Sequence, residues 1–332
     1  MIGPGDLFRA TPLAPVFADL GLVAVDVGAR GGIVADLASI AFAVDAVGFE
    51  PDPEAFERLN SAGGKAGPWR SVRYLPSAVA GRAGTHTLRI PSDPAAASLF
   101  APIAEWGERL AKPQFFDLVR EVQVECRTLD SALASAGVVA PAFLKLDVEG
   151  AEMDILEAAP KTVETLAAAK VEVAFLPLRQ GQASMSHIDA FLRARGFVPF
   201  GFFDLAHWRR ADTVVHPQAG TGDVPYSRGQ IAHGDVLYVR DPKPVMVDDP
   251  VLALRIAAVL LAYGYFDAAA EVFEAPAVDA WLVERHGLKR QDVARALAGA
   301  SRRYGRKVWR RALAAHLRGL VPFMRSAARL WP

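Results

Sequence analysis

Cysteine is almost absent from this sequence. The 332-residue chain contains one, Cys126, so no disulfide can form within it. This composition fits a reducing compartment. The sequence also lacks a cluster of cysteines and histidines at zinc-binding spacing. These absences exclude a disulfide-rich scaffold and argue against a zinc enzyme.

Long apolar runs are missing as well. The longest late run covers residues 256–266, which is shorter than the roughly 20 residues that a membrane-spanning helix needs. The first residues do not combine a basic stretch with a following apolar segment, so we expect no secretory signal peptide. The sequence therefore predicts a cytoplasmic protein that is at most peripheral at the inner face of the membrane.

The chain as a whole has no excess of charge of one sign, because 37 basic and 37 acidic residues cancel. The charges are nevertheless unevenly distributed. Between positions 285 and 329, 13 Lys and Arg are opposed only by Asp292, which leaves 24 basic and 36 acidic residues elsewhere. This asymmetry indicates a basic C-terminal segment with a partner of its own.

Short apolar runs alternate with helical patterns over the first three-quarters of the chain. Strands are predicted at residues 22–28, 46–50, 71–75, 87–90, 143–148, 170–176, 197–203 and 236–240. The clearest helices are predicted at residues 53–62, 151–158 and 185–195. Such alternation predicts an α/β fold in which a mostly parallel sheet carries helices on both faces. Ligands of such sheets bind at the carboxyl ends of the strands, where the strand order reverses.

The composition changes near residue 241. Residues 241–250 contain three prolines and several aspartates, which predicts a linker. Beyond it the pattern is helical, with a hairpin of residues 251–263 and 267–274 around Gly264. We therefore expect two units, an α/β domain over residues 1–244 and a basic, all-helical extension over residues 245–332.

The first candidate motif is VAVDVGARGG, in which a strand enters a Gly-rich turn and then a helix near Ile33. Gly28 permits a sharp turn, and Gly31 and Gly32 permit a close approach of the backbone to a ligand. The dinucleotide fingerprint would need glycine at positions 28, 30 and 33, but Arg30 and Ile33 stand there, so a nicotinamide site and a phosphate P-loop are both disfavoured. A plain strand-to-helix turn remains the alternative.

The second motif is GFEPDPEAFERL, which begins at Gly48. Glu50 ends the second strand, where an acidic side chain can accept hydrogen bonds from both hydroxyls of a ribose. Pro51 stops the strand, and Asp52 can cap the following helix. For Asp52 a purely structural role is credible, whereas for Glu50 it is less so because that residue follows directly on an apolar strand.

The third motif is FLKLDVEGAEMDIL, which begins at Phe143. Asp147 and Glu149 stand where a buried strand gives way to Gly150 and a helix. Isolated buried carboxylates are costly, so such a cluster normally has ligands or partners. The alternative is that Glu149 and Glu152 only stabilise the start of the helix.

These three motifs, in this order and followed by VEVAFLPL and GDVLYVRD, resemble the FkbM-type S-adenosylmethionine-dependent methyltransferases. The resemblance covers about residues 20–241 and implies a Rossmann-like class I methyltransferase sheet. It also implies S-adenosyl-L-methionine as cofactor and O-methylation of a sugar, glycan or related natural product. Arg30 departs from the family, which more often has asparagine there, and this bears on contacts with the methionine carboxylate.

The resemblance also implies a cofactor site built from the three motifs and the segment after the third strand. Its residues would be Asp26, Gly28, Arg30, Gly31, Gly32, Glu50, Pro51, Ser77, Ala78, Val79 and Asp147. The Gly-rich turn would hold the methionine half, Glu50 the ribose, and residues 77–79 the adenine. Asp147 and Glu149 would face the methyl group and the acceptor.

Attack by an alcohol requires removal of its proton, so a nearby base assists the transfer. Asp147 and Glu149 are candidates for this base by position, and His207 is another because it follows a predicted strand. His187 lies in a helical pattern, which favours a surface position. Mg²⁺ held by Asp147 and Glu149 could instead lower the pKa of the acceptor hydroxyl.

Two alternatives concern the whole protein and its tail. A catalytically inactive cofactor-binding scaffold that works through the helical tail is possible, although the presence of both candidate carboxylates argues against it. The basic tail, with its interleaved aromatic and aliphatic residues, suits an anionic membrane interface through residues 285–329. Packing of the tail against the acidic domain is an alternative of equal weight. Binding of nucleic acid is disfavoured because the basic residues are not accompanied by a known nucleic-acid-binding motif.

Overall fold

The computed structural model describes residues 7–61, 67–210 and 229–330. These residues form ten strands, numbered here in chain order. The strands are β1 (Leu22–Val27), β2 (Val44–Phe49), β3 (Ser71–Leu75), β4 (Ala78–Val79), β5 (Gly84–Pro91), β6 (Leu118–Arg127), β7 (Phe143–Leu146), β8 (Ala168–Ala174), β9 (Phe197–Trp208) and β10 (Gln230–Arg240).

Seven strands form one sheet in the order β3-β2-β1-β7-β8-β10-β9. The five strands from β3 to β8 are mutually parallel, and β10 runs antiparallel to both of its neighbours. The order therefore reverses between β1 and β7, which places a crevice at the carboxyl ends of these two strands. This arrangement confirms the predicted Rossmann-like α/β fold.

Twelve α-helices accompany the strands in the described residues. They are α1 (Ala14–Asp19), α2 (Pro53–Ser61), α3 (Ala104–Arg109), α4 (Leu129–Ser135), α5 (Glu152–Glu157), α6 (Pro160–Thr165), α7 (Met185–Arg193), α8 (Pro242–Asp248), α9 (Pro250–Tyr263), α10 (Phe266–Glu274), α11 (Pro276–His286) and α12 (Arg290–Leu330). Every one of them is too short or too polar to span a bilayer.

The two faces of the large sheet are covered by different parts of the chain. On one face, residues of α4 to α7 such as Leu133, Ile155 and Leu192 pack against strand residues that include Val25. The other face is covered by α1, a 3-10 helix at Ala35–Ala43, and the C-terminal helices α9 to α12. Helix α9 is buried along most of its length, so the C-terminal extension supplies much of the layer on this face.

The predicted linker at residues 241–250 is wrong, because α8 occupies most of this segment. The Asp241 side chain accepts a hydrogen bond from the Lys243 amide at 3.0 Å, and the Asp249 side chain accepts one from the Leu252 amide at 2.9 Å. A proline follows each aspartate in the first turn of α8 and of α9. Aspartate caps followed by proline are signals for a helix start. The predicted domain boundary at residues 244 and 245 therefore falls inside a helix.

The predicted strand at residues 87–90 does not join the large sheet. It belongs to β5, which pairs antiparallel with β6, while β4 pairs parallel with β6 in a separate three-stranded sheet. Strand β6 was not predicted, although Val122, Val124 and Cys126 alternate with polar residues there. The helix expected from about Ile33 is the 3-10 helix that begins at Ala35.

A buried polar bridge ties the C-terminal layer to the sheet. The Tyr263 hydroxyl on α9 donates a hydrogen bond of 2.7 Å to Asp36. Asp36 lies 3.5 Å from the Lys170 ammonium on β8, which also contacts Asp235 on β10 at 2.7 Å. Burial lowers the pKa of Lys170, but the two aspartates outweigh it and leave this pKa raised. The lysine therefore stays charged inside the protein because both carboxylates are present.

Removing the Tyr263 hydroxyl should destabilise the fold, because Asp36 would keep a buried charge with one polar partner fewer. We expect Tyr263→Phe to lower the free energy of unfolding by about 1–3 kcal/mol. Tyr265→Phe is the control, since its hydroxyl donates to the uncharged Phe200 carbonyl at 3.0 Å and its loss should cost about 1 kcal/mol or less. Urea denaturation measures both values, and equal effects would contradict the assigned importance of the bridge.

Candidate functional site

A cavity of about 320 Å³ opens at the carboxyl edge of the large sheet. Its floor is formed by the segments that follow β1, β2, β3 and β7, and its roof by β5, β6 and the segment between these two strands. Leu88 and Ile90 on β5 and Val124 on β6 give the roof an apolar lining. The volume lies within the range of roughly 300–1,000 Å³ typical of small-molecule sites.

The loops after β1 and β7 touch in the floor of the cavity. Gly28 has a φ of +94°, and a Cβ built on it would lie 2.1 Å from the Asp147 carbonyl oxygen. The Asp147 amide in turn donates to the Val27 carbonyl at 3.3 Å. Glycine is therefore required at position 28 both by its backbone conformation and by the neighbouring loop.

Lys145 connects the first and third motifs electrostatically. Its ammonium lies 3.5 Å from the Asp26 carboxylate and 3.0 Å from the Asp147 carboxylate. Burial lowers the pKa of Lys145, yet the two aspartates leave it well above its usual range. The other oxygen of Asp26 accepts a hydrogen bond from the Val34 amide at 2.9 Å. Asp26 thus holds the Gly-rich turn in place through the Val34 amide and is not part of the cavity lining.

The Gly-rich turn contributes unequally to the cavity. Gly28 and Arg30 line it, whereas Gly31 and Gly32 are not part of the lining. Arg30 reaches from the turn to the roof, where its guanidinium donates to the Pro94 carbonyl at 3.4 Å. The turn and the roof are therefore in contact on this side of the site.

Glu50 lies where the sequence predicts a ribose acceptor. The residue is buried, lines the cavity together with Pro51 and Asp52, and accepts a hydrogen bond from the Asp52 amide at 2.8 Å. Burial raises the pKa of the Glu50 carboxyl above its ordinary value. Asp52 also accepts from the Ala55 amide at 2.8 Å, which is the helix cap that the sequence indicates.

Ser77, Ala78 and Val79 line the same cavity, next to the apolar roof. Val79 and the roof residues Leu88 and Leu99 give this part of the cavity an apolar lining. Such a lining suits a ring system better than a charged group. The structure therefore brings the predicted adenine segment, Glu50 and the Gly28 turn to one cavity.

The loop after β7 is held in an unusual conformation. Glu149 has a φ of +61°, in the left-handed region that is rare for residues other than glycine. Its carbonyl accepts from the Ser98 hydroxyl at 2.6 Å, and its carboxylate pairs with Arg179. Glu152 accepts from the Val148 amide at 2.9 Å and from the Gly150 amide at 3.0 Å. Glu152 therefore supports the loop, as the structural alternative predicted, and Glu149 is the carboxylate that faces the cavity.

Burial disfavours the charged form of the Glu149 carboxyl. Burial raises its pKa to about 7, against the opposing influence of Arg179, and Asp147 and Glu152 raise it further. Arg179 is itself buried and donates to the Ala96 carbonyl in the roof at 3.2 Å. The same guanidinium therefore joins the β7 loop to the roof.

Sequence reasoning missed a histidine–carboxylate pair beside this loop. The Nδ1 atom of His233 on β10 lies 2.9 Å from a carboxylate oxygen of Glu172 on β8. Burial, followed by Arg179, lowers the pKa of His233, and burial with the nearby carboxylates raises that of Glu172 well above its ordinary value. The indole of Trp208 packs edge-on to the imidazole, with ring centroids 5.3 Å apart. The sequence did contain a signal for this pair, because Glu172 and His233 are polar residues within the apolar strands VEVAFL and IAHGDVLYV.

Carboxylate oxygens of Asp147, Glu149 and Glu172 lie within 4.8 Å of one another. Oxygen ligands in this number are compatible with Mg²⁺. However, Lys145 pairs with Asp147, Arg179 with Glu149 and His233 with Glu172. Lys145 and Arg179 already compensate two of the three carboxylates, so magnesium bound by Asp147 and Glu149 stays a prediction.

The structure does not bring His207 to the cavity. It lies near the end of β9, the outermost strand of the large sheet, where it is exposed and its Nδ1 is 3.3 Å from the Leu205 carbonyl. The interpretation of His207 as the base therefore gains no support from its position. His187 is exposed on α7, in agreement with the surface position that the sequence favours.

The residues that line this cavity lie within a segment that matches a known protein family. Residues 26–199, more than half of the chain, match the sequence profile described as the methyltransferase FkbM domain. The chain belongs to this family. It is accordingly an S-adenosylmethionine-dependent methyltransferase, as the motifs indicated. No curated protein matched the sequence.

Solved structures give a more distant likeness. The magnesium protoporphyrin IX methyltransferase of Synechocystis, solved with bound S-adenosylmethionine, is 9% identical over 69% of this chain and 78% of its own, with a TM-score of 0.31. The precorrin 8w decarboxylase of Methanobacterium thermoautotrophicum is 14% identical over 73% of this chain and 100% of its own, with a TM-score of 0.33. These scores are too low to support an argument about the site.

The residues in the cavity fit the cofactor of the family. The floor has a turn at Gly28 whose space a Cβ would fill, a buried carboxyl group at Glu50, for which the resemblance implies a ribose-binding role, and an apolar lining at Val79. Asp147 and Glu149 place two carboxyl groups at the far side of the floor. The assignment of each residue to one part of the cofactor stays a prediction.

The contact at Gly28 can be tested with a matched pair of glycine substitutions. Gly28→Ala should weaken S-adenosylhomocysteine binding at least about tenfold, because the new Cβ forces the turn away from Asp147. Gly31→Ala is the control, since its Cβ would meet nothing within 4 Å. Isothermal titration calorimetry measures both affinities. An unchanged affinity of the Gly28 variant would show that the turn does not hold the cofactor.

The ribose role of Glu50 can be tested by removing its charge. Glu50→Gln keeps an oxygen for the Asp52 amide but weakens a charged hydrogen bond, so S-adenosylhomocysteine affinity should fall roughly tenfold or more. Glu54→Gln changes an exposed carboxylate on the adjacent helix and should bind like the unmodified protein. Equal affinities of the two variants would remove Glu50 from the site.

Proposed function

We propose that this protein methylates a hydroxyl group of a sugar, a glycan or a related natural product, with His233 as the base that accepts the hydroxyl proton. The observation that carries the proposal is the His233–Glu172 pair beside the loop that bears Asp147 and Glu149. Both of these loop residues line the cavity that fits the cofactor. The pair therefore lies within reach of an acceptor bound next to that cavity.

S-adenosylmethionine supplies, when bound, an electrophilic methyl group whose leaving sulfur needs no proton. The protein's task is therefore to align the acceptor and to remove one proton from its hydroxyl. In the His233–Glu172 pair, Nδ1 is engaged with the carboxylate, so Nε2 is the ring nitrogen left to accept that proton. Glu172 fixes the orientation of the ring and stabilises the positive charge that the imidazole gains.

Protonation states favour His233 over the carboxylates as the base. Burial and Arg179 lower the pKa of His233, so the imidazole is neutral at physiological pH and free to take up a proton. The Asp147 carboxylate is engaged with Lys145 at 3.0 Å, and Glu149 with Arg179. We assign these two carboxylates to positioning the acceptor and to electrostatic complementarity with the cofactor.

The chemistry of the cluster also supports the choice of acceptor. Asp147, Glu149 and Glu172 offer several hydrogen-bond acceptors close together, and Arg179 offers donors. Carboxylates spaced in this way can accept from neighbouring hydroxyls of one polyhydroxylated molecule. This favours a sugar-like acceptor over a purely apolar one.

Replacing His233 tests the proposed base. His233→Asn should lower kcat by about 10²-fold or more while leaving S-adenosylhomocysteine affinity within about twofold of the unmodified protein, because His233 lies outside the cofactor cavity. His187→Asn, on an exposed helix, should keep full activity. A panel of sugar and glycan hydroxyl acceptors, with S-adenosylhomocysteine release as the readout, provides the measurement.

The pH dependence distinguishes a base from a structural residue. Activity of the unmodified protein should fall on acidification, since the protonated imidazole cannot accept a proton, and should level off above neutral pH. Glu172→Gln removes the carboxyl group that stabilises the imidazolium, so the remaining activity should have its acidic limb shifted to lower pH. If His207→Asn lost activity and His233→Asn did not, the base would be His207. Absence of S-adenosylhomocysteine release with every acceptor would favour the scaffold alternative.

A further inference from the structure

Helix α12 consists of two halves with different surroundings. In its first half Val293, Leu297 and Ala300 are buried in the hydrophobic core that α12 shares with the other C-terminal helices. From Trp309 to Leu320 every residue is exposed. Since the helix has 41 residues, it is about 60 Å long at 1.5 Å per residue. Its second half therefore extends beyond the helices on which the first half packs.

The exposed half carries a continuous apolar stripe. Its members are Trp309, Leu313, Leu317, Leu320 and Met324, and each is between 44% and 66% exposed. At 3.6 residues per turn they lie within about 80° of the helix circumference. These are the large apolar side chains that a helix normally buries, and no part of the chain that the structure describes covers them.

Positive charge lies next to this stripe. Arg310, Arg311 and Arg318 are exposed and occupy the adjoining sector, about 100° to 200° from Trp309 around the helix. After Asp292 the sequence contains no aspartate or glutamate up to its last residue. The exposed half is thus an amphipathic helix whose charged flank is purely basic.

We propose that the second half of α12 docks on an anionic lipid surface, with the stripe from Trp309 to Met324 in the headgroup region. Basic residues beside an apolar helix face bind such surfaces through both apolar burial and attraction to acidic headgroups. Trp309 has the amphipathic ring that is favoured at this depth. The inference does not depend on which hydroxyl the enzyme methylates.

Charge complementarity selects lipid over the other occupants. A second copy of α12 would bring two purely basic flanks together, with no acidic residue after Asp292 in either helix to compensate them. The acidic catalytic domain does not cover this half, because residues 309–320 are exposed. Nucleic acid would neutralise the arginines but leave the leucines of the stripe in water. A lipid surface would neutralise the arginines and also bury the leucines, which adds favourable free energy.

The test is sedimentation of the full-length protein with vesicles of phosphatidylcholine alone or mixed with phosphatidylglycerol. The protein should sediment with the anionic vesicles only, and added salt should release it because the attraction is screened. The triple variant L313Q, L317Q, L320Q should partition at least about tenfold more weakly. The variant R310Q, R311Q, R318Q should lose on the order of 100-fold, at about fivefold for each basic residue.

Two control variants show whether the loss of exposed apolar or basic side chains anywhere on the surface weakens vesicle binding. Val119, Val139 and Val247 are exposed apolar residues elsewhere, and Arg120, Lys161 and Lys243 are exposed cations elsewhere. Changing each of these sets to glutamine should leave partitioning unchanged. Every variant should also bind S-adenosylhomocysteine with normal affinity, which establishes that it is folded.

Three results would overturn the proposal. The unmodified protein could remain in the supernatant with anionic vesicles at low salt. Sedimentation velocity could reveal a dimer that the leucine variant abolishes, which would assign the stripe to a second copy. A short duplex DNA or single-stranded RNA could bind more tightly than the vesicles in a way that depends on the arginines and not on the leucines, which would assign the flank to nucleic acid.

Discussion

The buried ammonium of Lys145 is the charge around which the site is organised. It lies between Asp26 on β1 and Asp147 after β7, the two strands at which the strand order reverses. A buried lysine without carboxylates would be expensive, and so would the buried Asp26 carboxylate without the lysine. The arrangement therefore holds the ends of both strands in one geometry. The Gly28 turn, the Asp147 loop and the cavity between them depend on that geometry.

A second set of contacts places the roof over this floor. Ser98 and Arg179 both bond to Glu149, and Arg179 also bonds to the Ala96 carbonyl. Glu149 is held in a backbone conformation that costs free energy for a side chain with a Cβ. The surrounding bonds offset this cost and direct the carboxylate toward the cavity. The position of the small sheet and the position of the candidate catalytic loop are consequently linked.

Much of the fold and of the cofactor cavity could be predicted from the sequence, because the signals are local. Glu50 and Asp147 each end a strand of the sheet, and their strands and turns were visible as apolar runs and glycines. Local signals also existed where the prediction was wrong, since Asp241 and Asp249, each followed by proline, begin helices. The alternation of Val122, Val124 and Cys126 in β6 was another such signal.

The features that the sequence did not reveal depend on long-range pairing. Glu172 and His233 meet because β10 runs antiparallel beside β8 with one particular register. A single sequence does not give that register, so the pair could not be assembled from either strand alone. His207 was selected because it follows a strand, but that strand is the outer edge of the sheet. The order of the strands decides which strand ends meet, and it becomes evident only in the folded chain.

The C-terminal helices have a practical consequence for anyone who wishes to shorten this protein. A chain cut at residue 244 would retain every residue of the cofactor cavity but lose α9, whose Leu254, Val259 and Leu261 are buried against the sheet. The uncovered strand face would be an extensive hydrophobic surface in water, which promotes aggregation. The smallest soluble catalytic unit should therefore extend at least through Tyr304, where α12 leaves the packed layer. The residues that line the cavity do not by themselves define the folding unit.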